Sequence, residues 1–193
     1  MIVYLHGFAS TGSSPKVNAL RERFGSDKVM SPDLPFNPFE VHKLINSLVQ
    51  DFLSKRKEGE KLVFVGTSLG AFYSNFFGHL YDCPVVLVNP SVYPNETLAS
   101  RLGSNRNYVT GEEFFVSLAH LEDLDQMRKY LEANYTGSLV NLFLAKDDDV
   151  IPYDVALEAY KYPAFVKVTE DGGHRFNDYW DLVVDRVEEI LTG

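Results

Sequence analysis

The sequence predicts an α/β protein in which a mostly parallel sheet is covered by helices on both faces. Short runs of apolar, largely β-branched residues alternate along the chain with amphipathic stretches of helical period. Parallel strands need crossover connections, and helices are the usual ones, so this alternation favours a sheet between two helical layers. The 193 residues, 45% of them hydrophobic, suffice for one domain and are few for two.

Six apolar runs are predicted as short buried strands because they are rich in Val, Ile, Leu and Phe. They are Ile2–Leu5, Lys28–Met30, Lys61–Val65, Val85–Val88, Leu139–Leu144 and Phe165–Val168. The clearest helix follows Asn37-Pro38, a capping residue with proline at the first helical position. Its apolar residues recur at steps of three and four, and the segment from Trp180 to Leu191 has the same period.

One interval breaks this alternation. About 50 residues separate Val88 from Leu139, which is far longer than a typical connection. Apolar residues from Leu118 to Leu131 predict a helix there, whereas the run Phe114–Val116 has no obvious strand partner. We therefore expect a single domain over residues 1–193 with a small helical cap, the inserted segment, at about residues 92–136.

Charge and composition exclude several classes of partner. The net charge of −9 disfavours binding to nucleic acid or to anionic lipid surfaces. The single cysteine, Cys83, cannot form an internal disulfide and is expected to be a buried structural thiol. No signal peptide and no stretch of membrane-spanning length is apparent, so a soluble protein of the cytoplasm without membrane insertion is expected.

The run Gly66-Thr67-Ser68-Leu69-Gly70 joins a predicted strand to a predicted helix. A G-x-S-x-G sequence at such a junction is typical of a nucleophile elbow, where the serine lies in a strained, tight turn at the carboxyl edge of the sheet. The glycines are needed because neighbouring backbone leaves no room for a Cβ atom. The alternative is a simple glycine-rich turn, but the position between strand and helix favours Ser68 as a nucleophile.

An acid and a base follow in the order that such an elbow requires. Three aspartates, Asp147 to Asp149, come directly after the predicted strand Leu139–Leu144, and His174 follows paired glycines after the strand Phe165–Val168. The aspartates could equally form a solvated loop, and a calcium loop is disfavoured because spaced ligands and a glycine are missing. The order serine, acid, histidine is that of one of the three unrelated classes of Ser-His-Asp enzyme.

Because it contains these motifs, the sequence resembles the α/β-hydrolase superfamily and, within it, the small bacterial esterases of the YqiA type. The matching blocks are Tyr4–Phe8, Ser31–Pro35, the elbow, Asp148–Pro152 and Gly172–His174. The resemblance implies a reduced three-layer α/β-hydrolase fold with about six strands. It also selects Asp148 as the acid, since this residue lies four positions before Pro152.

The resemblance further implies an oxyanion hole formed by the backbone N–H groups of Phe8 and Leu69, with His6 bracing the loop before Phe8. The expected function is a serine esterase with the triad Ser68, Asp148 and His174, which acts on small-molecule esters or thioesters and needs no metal or organic cofactor. The remaining histidines, His42, His79 and His120, are assigned structural or surface roles.

The predicted substrate pocket is the least specific part of the site. The apolar side chains of the inserted segment favour a short to medium acyl chain over a charged group, although they could equally be ordinary core residues. They are Phe114, Phe115 and Val116, together with Phe8 from the loop after the first strand. The same triad could serve a thioesterase or another acyl hydrolase. A ligand-binding module without catalysis is a further alternative, which tight binding without turnover would reveal.

Overall fold

The computed structural model describes residues 1–193. It contains eight strands: β1 (Ile2–Leu5), β2 (Val29–Met30), β3 (Val63–Thr67), β4 (Val85–Val88), β5 (Gly103–Arg106), β6 (Glu113–Val116), β7 (Val140–Ala145) and β8 (Phe165–Thr169). It contains seven α helices: α1 (Pro15–Phe24), α2 (Pro38–Lys55), α3 (Leu69–Leu80), α4 (Pro94–Thr97), α5 (Leu118–Asn134), α6 (Tyr153–Ala159) and α7 (Trp180–Thr192).

Six strands form one parallel sheet in the order β2-β1-β3-β4-β7-β8. All its strands therefore end at the same edge, and the chain changes direction in the sheet around β1 and β3, near the centre. In open α/β sheets, ligand sites lie outside the carboxyl ends of the strands at such a point. The predicted parallel sheet of six strands is confirmed, and each predicted strand overlaps an observed one.

Successive side chains of each strand point to opposite faces of the sheet, so they contribute to two separate cores, one on each face. Val3 and Leu5 of β1 face the core that contains residues of α2, α3 and α5. Ile2 and Tyr4 face the core that contains residues of α1 and α7. The result is three layers, helix, sheet and helix, in which both faces of the sheet are buried, as the apolar strand sequences require.

Helix α2 begins where the sequence predicts it. The side chain of Asn37 accepts hydrogen bonds from the backbone N–H groups of Phe39 and Glu40, at 2.8 and 3.3 Å, and Pro38 is the first helical residue. These contacts satisfy two donors that otherwise have no partner at a helix start. Helix α7, also predicted, packs its buried residues against the opposite face of the sheet.

The inserted segment lies between β4 and β7 and contains α4, a β hairpin and α5. The run Phe114–Val116 does have a strand partner, because β6 pairs antiparallel with β5. That partner escaped sequence analysis since its residues, Gly-Ser-Asn-Arg, carry no apolar signal. Helix α5 is confirmed, and its residues Leu124, Met127 and Leu131 are buried in the core shared with α2 and α3.

Cys83 is buried, and this burial raises the pKa of its thiol to about 12, so the group is an unreactive part of the core. None of the helices combines the length and apolar character needed to cross a membrane.

Candidate active site

Ser68 lies at the centre of the carboxyl edge of the sheet, between the end of β3 and the start of α3. Its backbone has φ 54° and ψ −123°, a conformation that is strained for any residue with a side chain. Gly66 and Gly70 make this turn possible. A Cβ atom at Gly66 would lie 2.3 Å from the carbonyl oxygen of Gly70, and one at Gly70 would lie 2.0 Å from that of Leu5.

The loop after β1 lies against the side chain of Ser68. A Cβ atom built at Gly7 would be 3.3 Å from Ser68 Cβ and 3.8 Å from Ser68 Oγ, so the turn that carries Phe8 is adjacent to this hydroxyl. Leu69 is the first residue of α3, where backbone N–H groups have no partner within the helix. The structure thus brings Ser68, Phe8 and Leu69 to one place, with the positive end of the α3 dipole beside Ser68.

His174 and Asp148 form a direct pair. His174 Nδ1 lies 3.0 Å from Asp148 Oδ1 and 2.8 Å from Oδ2, and the carboxylate side chain is wholly shielded from solvent. Asp148 Oδ1 also accepts hydrogen bonds from the backbone N–H groups of Val150 and Ile151, at 2.8 and 2.9 Å. These bonds fix the orientation of the carboxylate, and the carboxylate in turn leaves His174 Nε2 as the free ring nitrogen.

The two neighbouring aspartates do not contact the imidazole. Asp147 is exposed and its Oδ1 accepts a hydrogen bond of 2.8 Å from the backbone N–H of Gly173, so it holds the loop before His174. Asp149 is exposed and forms no hydrogen bond through its side chain. Of the three candidates, the structure brings only Asp148 to the histidine.

Asn89, directly after β4, holds the histidine loop and was not found by sequence analysis. Its Nδ2 donates to the carbonyl oxygens of Gly173 and His174, at 3.0 and 3.2 Å, and its Oδ1 accepts from the backbone N–H of Ala145 at 3.0 Å. The side chain is buried and the backbone has φ 42°. An asparagine at the carboxyl end of a central strand is the signal that could have identified it.

The same strand end also anchors the serine. The backbone N–H of Ser68 donates to the carbonyl oxygen of Val88 at 3.0 Å, one residue before Asn89. Ser68 and His174 are therefore both tied to the end of β4. The Ser68 hydroxyl makes no hydrogen bond in the structure, and a direct bond to the imidazole is absent. Hydrogen bonds between such groups are often long in ligand-free proteins and tighten when a ligand is bound.

His6 has the bracing position expected for it. The buried ring accepts a hydrogen bond on Nε2 from the backbone N–H of Leu34 at 2.9 Å, and its Nδ1 donates to the carbonyl oxygen of Gly7, also at 2.9 Å. Burial lowers the pKa of His6 below its ordinary value, which favours the neutral ring that this pattern requires. Both ring nitrogens are used, so His6 joins the loop after β1 to the segment Ser31–Pro35.

A largely apolar cavity opens beside Phe8 and Leu69. Its walls come from the loop after β1, from residues 34–38, from α3 and from the inserted segment. The lining residues are His6, Gly7, Phe8, Ala9, Leu34, Pro35, Phe36, Pro38, Leu69, Tyr73, Leu98, Val116, His120, Leu121 and Leu124. His120, expected to be structural or superficial, is thus part of a cavity wall.

The two phenylalanines predicted to bind substrate have different positions. Phe114 stacks on Phe36 with ring centroids 3.4 Å apart and meets Phe8 edge-on at 5.5 Å, so it supports the cavity wall from behind. Phe115 is 62% exposed and does not line the cavity. Neither of the two predicted rings therefore lines the cavity. Successive residues of a strand point to opposite faces, and Phe114 and Val116 are the ones directed inwards.

The hairpin of the inserted segment is also bonded to the loop that carries Phe8. The backbone N–H of Tyr108 donates to the carbonyl oxygen of Ala9 at 2.8 Å, and Asn107 Nδ2 donates to that of Ser10 at 2.9 Å. Elsewhere in the molecule, no three His, Cys, Asp or Glu side chains are arranged to hold a metal ion, and this includes the run Asp147–Asp149.

Comparison with known proteins agrees with this architecture. Est1E from Butyrivibrio proteoclasticus superposes with a TM-score of 0.73 at 16% identity, over 97% of this chain and 85% of that one. A monoacylglycerol lipase from Paleococcus ferrophilus superposes with a TM-score of 0.69 at 14% identity, over 97% and 93%. At these identities the likeness concerns the fold, and the chain has the α/β-hydrolase fold.

Relatives are also found by sequence. A UPF0227 protein from Pasteurella multocida is 29% identical over 160 residues, which are 78% of this chain and 77% of the relative. One from Pectobacterium carotovorum is 27% identical over 111 residues, and there the chain spans 61% of the relative's length. Residues 1–188 match the family described as "Uncharacterised protein family (UPF0227)", and the chain belongs to this family.

Proposed function

We propose that this protein is a serine esterase that hydrolyses carboxylic esters of short to medium acyl chain through Ser68, His174 and Asp148. The observation that carries the proposal is the buried Asp148 carboxylate bonded to His174 Nδ1, at the same sheet edge as a serine held in a strained turn. A monoacylglycerol lipase shares the fold, and the ester substrate class is extended to this chain from it.

In the proposed reaction, His174 Nε2 takes the proton of Ser68 as Oγ attacks the carbonyl carbon of the ester. The backbone N–H groups of Phe8 and Leu69 donate to the oxygen that becomes negatively charged. His174 then gives the proton to the departing alcohol, which leaves an acyl group on Ser68. Water that loses a proton to His174 attacks this acyl group, and the acid is released as Ser68 regains its proton.

Asp148 supports each of these proton transfers. Its charge stabilises the imidazolium, and its bonds to Val150 and Ile151 keep the carboxylate facing Nδ1. The cavity that begins at Phe8 and Leu69 is the proposed acyl site, since its apolar lining suits a hydrocarbon chain. We further propose that the inserted segment serves as a cap over this cavity.

The test is hydrolysis of p-nitrophenyl butyrate by the wild type, by Ser68→Ala and by Ser47→Ala. Ser47 is exposed on α2, so its variant controls for the loss of a serine hydroxyl far from the site. Loss of a triad nucleophile lowers kcat by about 10⁴- to 10⁶-fold, whereas Ser47→Ala should match the wild type. Equal activity of folded Ser68→Ala and wild type would exclude the mechanism. Parallel assays with S-phenyl thiobutyrate distinguish a thioesterase from an esterase, because a thioesterase would hydrolyse the thioester faster than the ester.

A further inference from the structure

The cavity beside Ser68 contains polar groups that its own walls do not satisfy. Three of its lining residues, His6, Tyr73 and His120, have polar side chains. Both ring nitrogens of His6 are engaged with backbone groups of Gly7 and Leu34. The other two lie on helices that pack against one another, Tyr73 on α3 and His120 on α5.

Tyr73 is only 3% exposed, and its hydroxyl forms no hydrogen bond with any group of the protein. A buried tyrosine hydroxyl normally has a partner, because leaving a polar group unpaired inside a protein is costly. Tyr4, which is equally buried, follows this rule and meets Thr67 Oγ1 at 3.3 Å. The Tyr73 hydroxyl is unpaired and is not one of the fully enclosed atoms, so it is available to a group that enters the cavity.

His120 has one free ring nitrogen. Its Nδ1 accepts a hydrogen bond of 3.4 Å from the backbone N–H of Ser117, in the capping box that starts α5. In the neutral ring the proton then lies on Nε2, which has no partner in the chain. Two residues that line the cavity, Tyr73 and His120, thus each carry a polar group that has no partner in the chain.

We propose that the acyl group accepted by this cavity carries a hydroxyl remote from the ester carbonyl, bound by the Tyr73 hydroxyl and His120 Nε2. This inference rests on the proposed function and specifies its substrate class. A hydroxyl both donates and accepts, so it can pair with the two groups at once. A carboxylate would be unpaired because no Lys or Arg lines the cavity, and an ammonium would be unpaired because no Asp or Glu does.

The experiment compares methyl 6-hydroxyhexanoate with methyl hexanoate, two esters that differ only in the terminal hydroxyl. The measured quantity is the ratio of their kcat/KM values. Tyr73→Phe removes one hydroxyl and no other atom, and it should lower this ratio about 10-fold, the effect of one lost hydrogen bond. Tyr160→Phe is the matched control: Tyr160 is also buried but does not line the cavity, so the ratio should stay at the wild-type value.

A second measurement separates this inference from the proposed function. Calorimetric binding of the two esters to Ser68→Ala requires no turnover. Tighter binding of the hydroxylated ester, lost in Ser68→Ala/Tyr73→Phe, supports the inference even if the wild type hydrolyses neither ester. Equal affinity for the two esters, or a wild-type kcat/KM ratio that Tyr73→Phe leaves unchanged, overturns the inference, while activity that depends on Ser68 would still support the esterase.

Discussion

Asp147, Asp148 and Asp149 are chemically identical side chains in three different environments. Asp148 is shielded from solvent and bonded to His174, Asp147 holds the loop before it, and Asp149 faces solvent. The turn after β7 causes the difference, because the backbone N–H groups of Val150 and Ile151 fold back onto Asp148 alone. A carboxylate held in this way can stabilise a charged imidazole without being free to move.

The three aspartates therefore differ in their expected effect on hydrolysis. Asp148→Asn should lower kcat by about 10⁴-fold, because an amide can stabilise the wrong tautomer of His174 and cannot stabilise its charged form. Asp149→Asn should stay close to the wild type, since that side chain makes no contact with the site. Steady-state hydrolysis of p-nitrophenyl butyrate measures both, and a comparable loss in the two variants would contradict the role of Asp148.

Single residues were predictable where a motif fixed them. The serine, acid and histidine follow from short sequence patterns at strand ends, and the structure brings Asp148 and His174 together. The direction of the Phe115 side chain could not be predicted because it depends on the register of β6, and β6 could not be placed without its partner β5. Asn89 and Tyr73 were missed because their roles arise from contacts between residues distant in the chain.

Elements of the site meet at the end of β4. Asn89 there is hydrogen-bonded to the end of β7 and to the loop that carries His174, while the preceding residue binds the backbone of Ser68. One asparagine thus connects the elements that hold His174 and Ser68. It is a positioning residue, because it contacts the backbone of the histidine loop and not the imidazole.

Asn89→Ala should lower kcat with little change in KM, because the histidine loop loses its support while the acyl cavity is untouched. It should also reduce the free energy of unfolding by about 1–3 kcal/mol, since backbone groups lose buried partners. Asn141→Ala is the matched control: Asn141 is buried at the opposite end of β7 and bonds to Val85, Leu139 and Arg186. Equal kcat losses in both variants, with equal destabilisation, would argue that Asn89 is only structural.

The sequence predicted elements with a strong pattern and failed where that pattern was absent. Strands buried on both faces are continuous apolar runs, and α2 has a capping asparagine and a regular apolar stripe. Helix α1 has only two buried residues, Val17 and Leu20, so its period was too weak to notice. Strand β5 has no fully buried residue and consists of small and polar residues, so no apolar run marks it in the sequence.

For the molecule as a whole, a buried histidine makes the stability depend on pH. His6 joins the loop after β1 to the segment Ser31–Pro35, and burial lowers the pKa of His6. The folded protein then binds fewer protons than the unfolded chain near and below the ordinary histidine pKa of about 6.5. The stability that the neutral ring contributes is therefore complete above this pH and is lost as the pH falls.

We expect the free energy of unfolding to decrease between pH 7.5 and pH 5.5, by up to about 1.4 kcal/mol per pH unit for the one proton on His6. Urea unfolding of the wild type and of His6→Gln at both pH values measures this. The variant should be less stable at pH 7.5 but lose less stability on acidification. Identical losses in the two proteins would show that other groups account for the whole pH dependence.

The hairpin of the inserted segment and the loop that carries Phe8 are held together by two hydrogen bonds and an aromatic contact. A displacement of the hairpin that widened the cavity mouth would therefore pull the Phe8 amide away from Ser68. In the proposed mechanism, entry of the ester and stabilisation of its oxyanion would then belong to different moments of the catalytic cycle. An opened enzyme would admit substrate without being able to react with it, and closure would restore the chemistry.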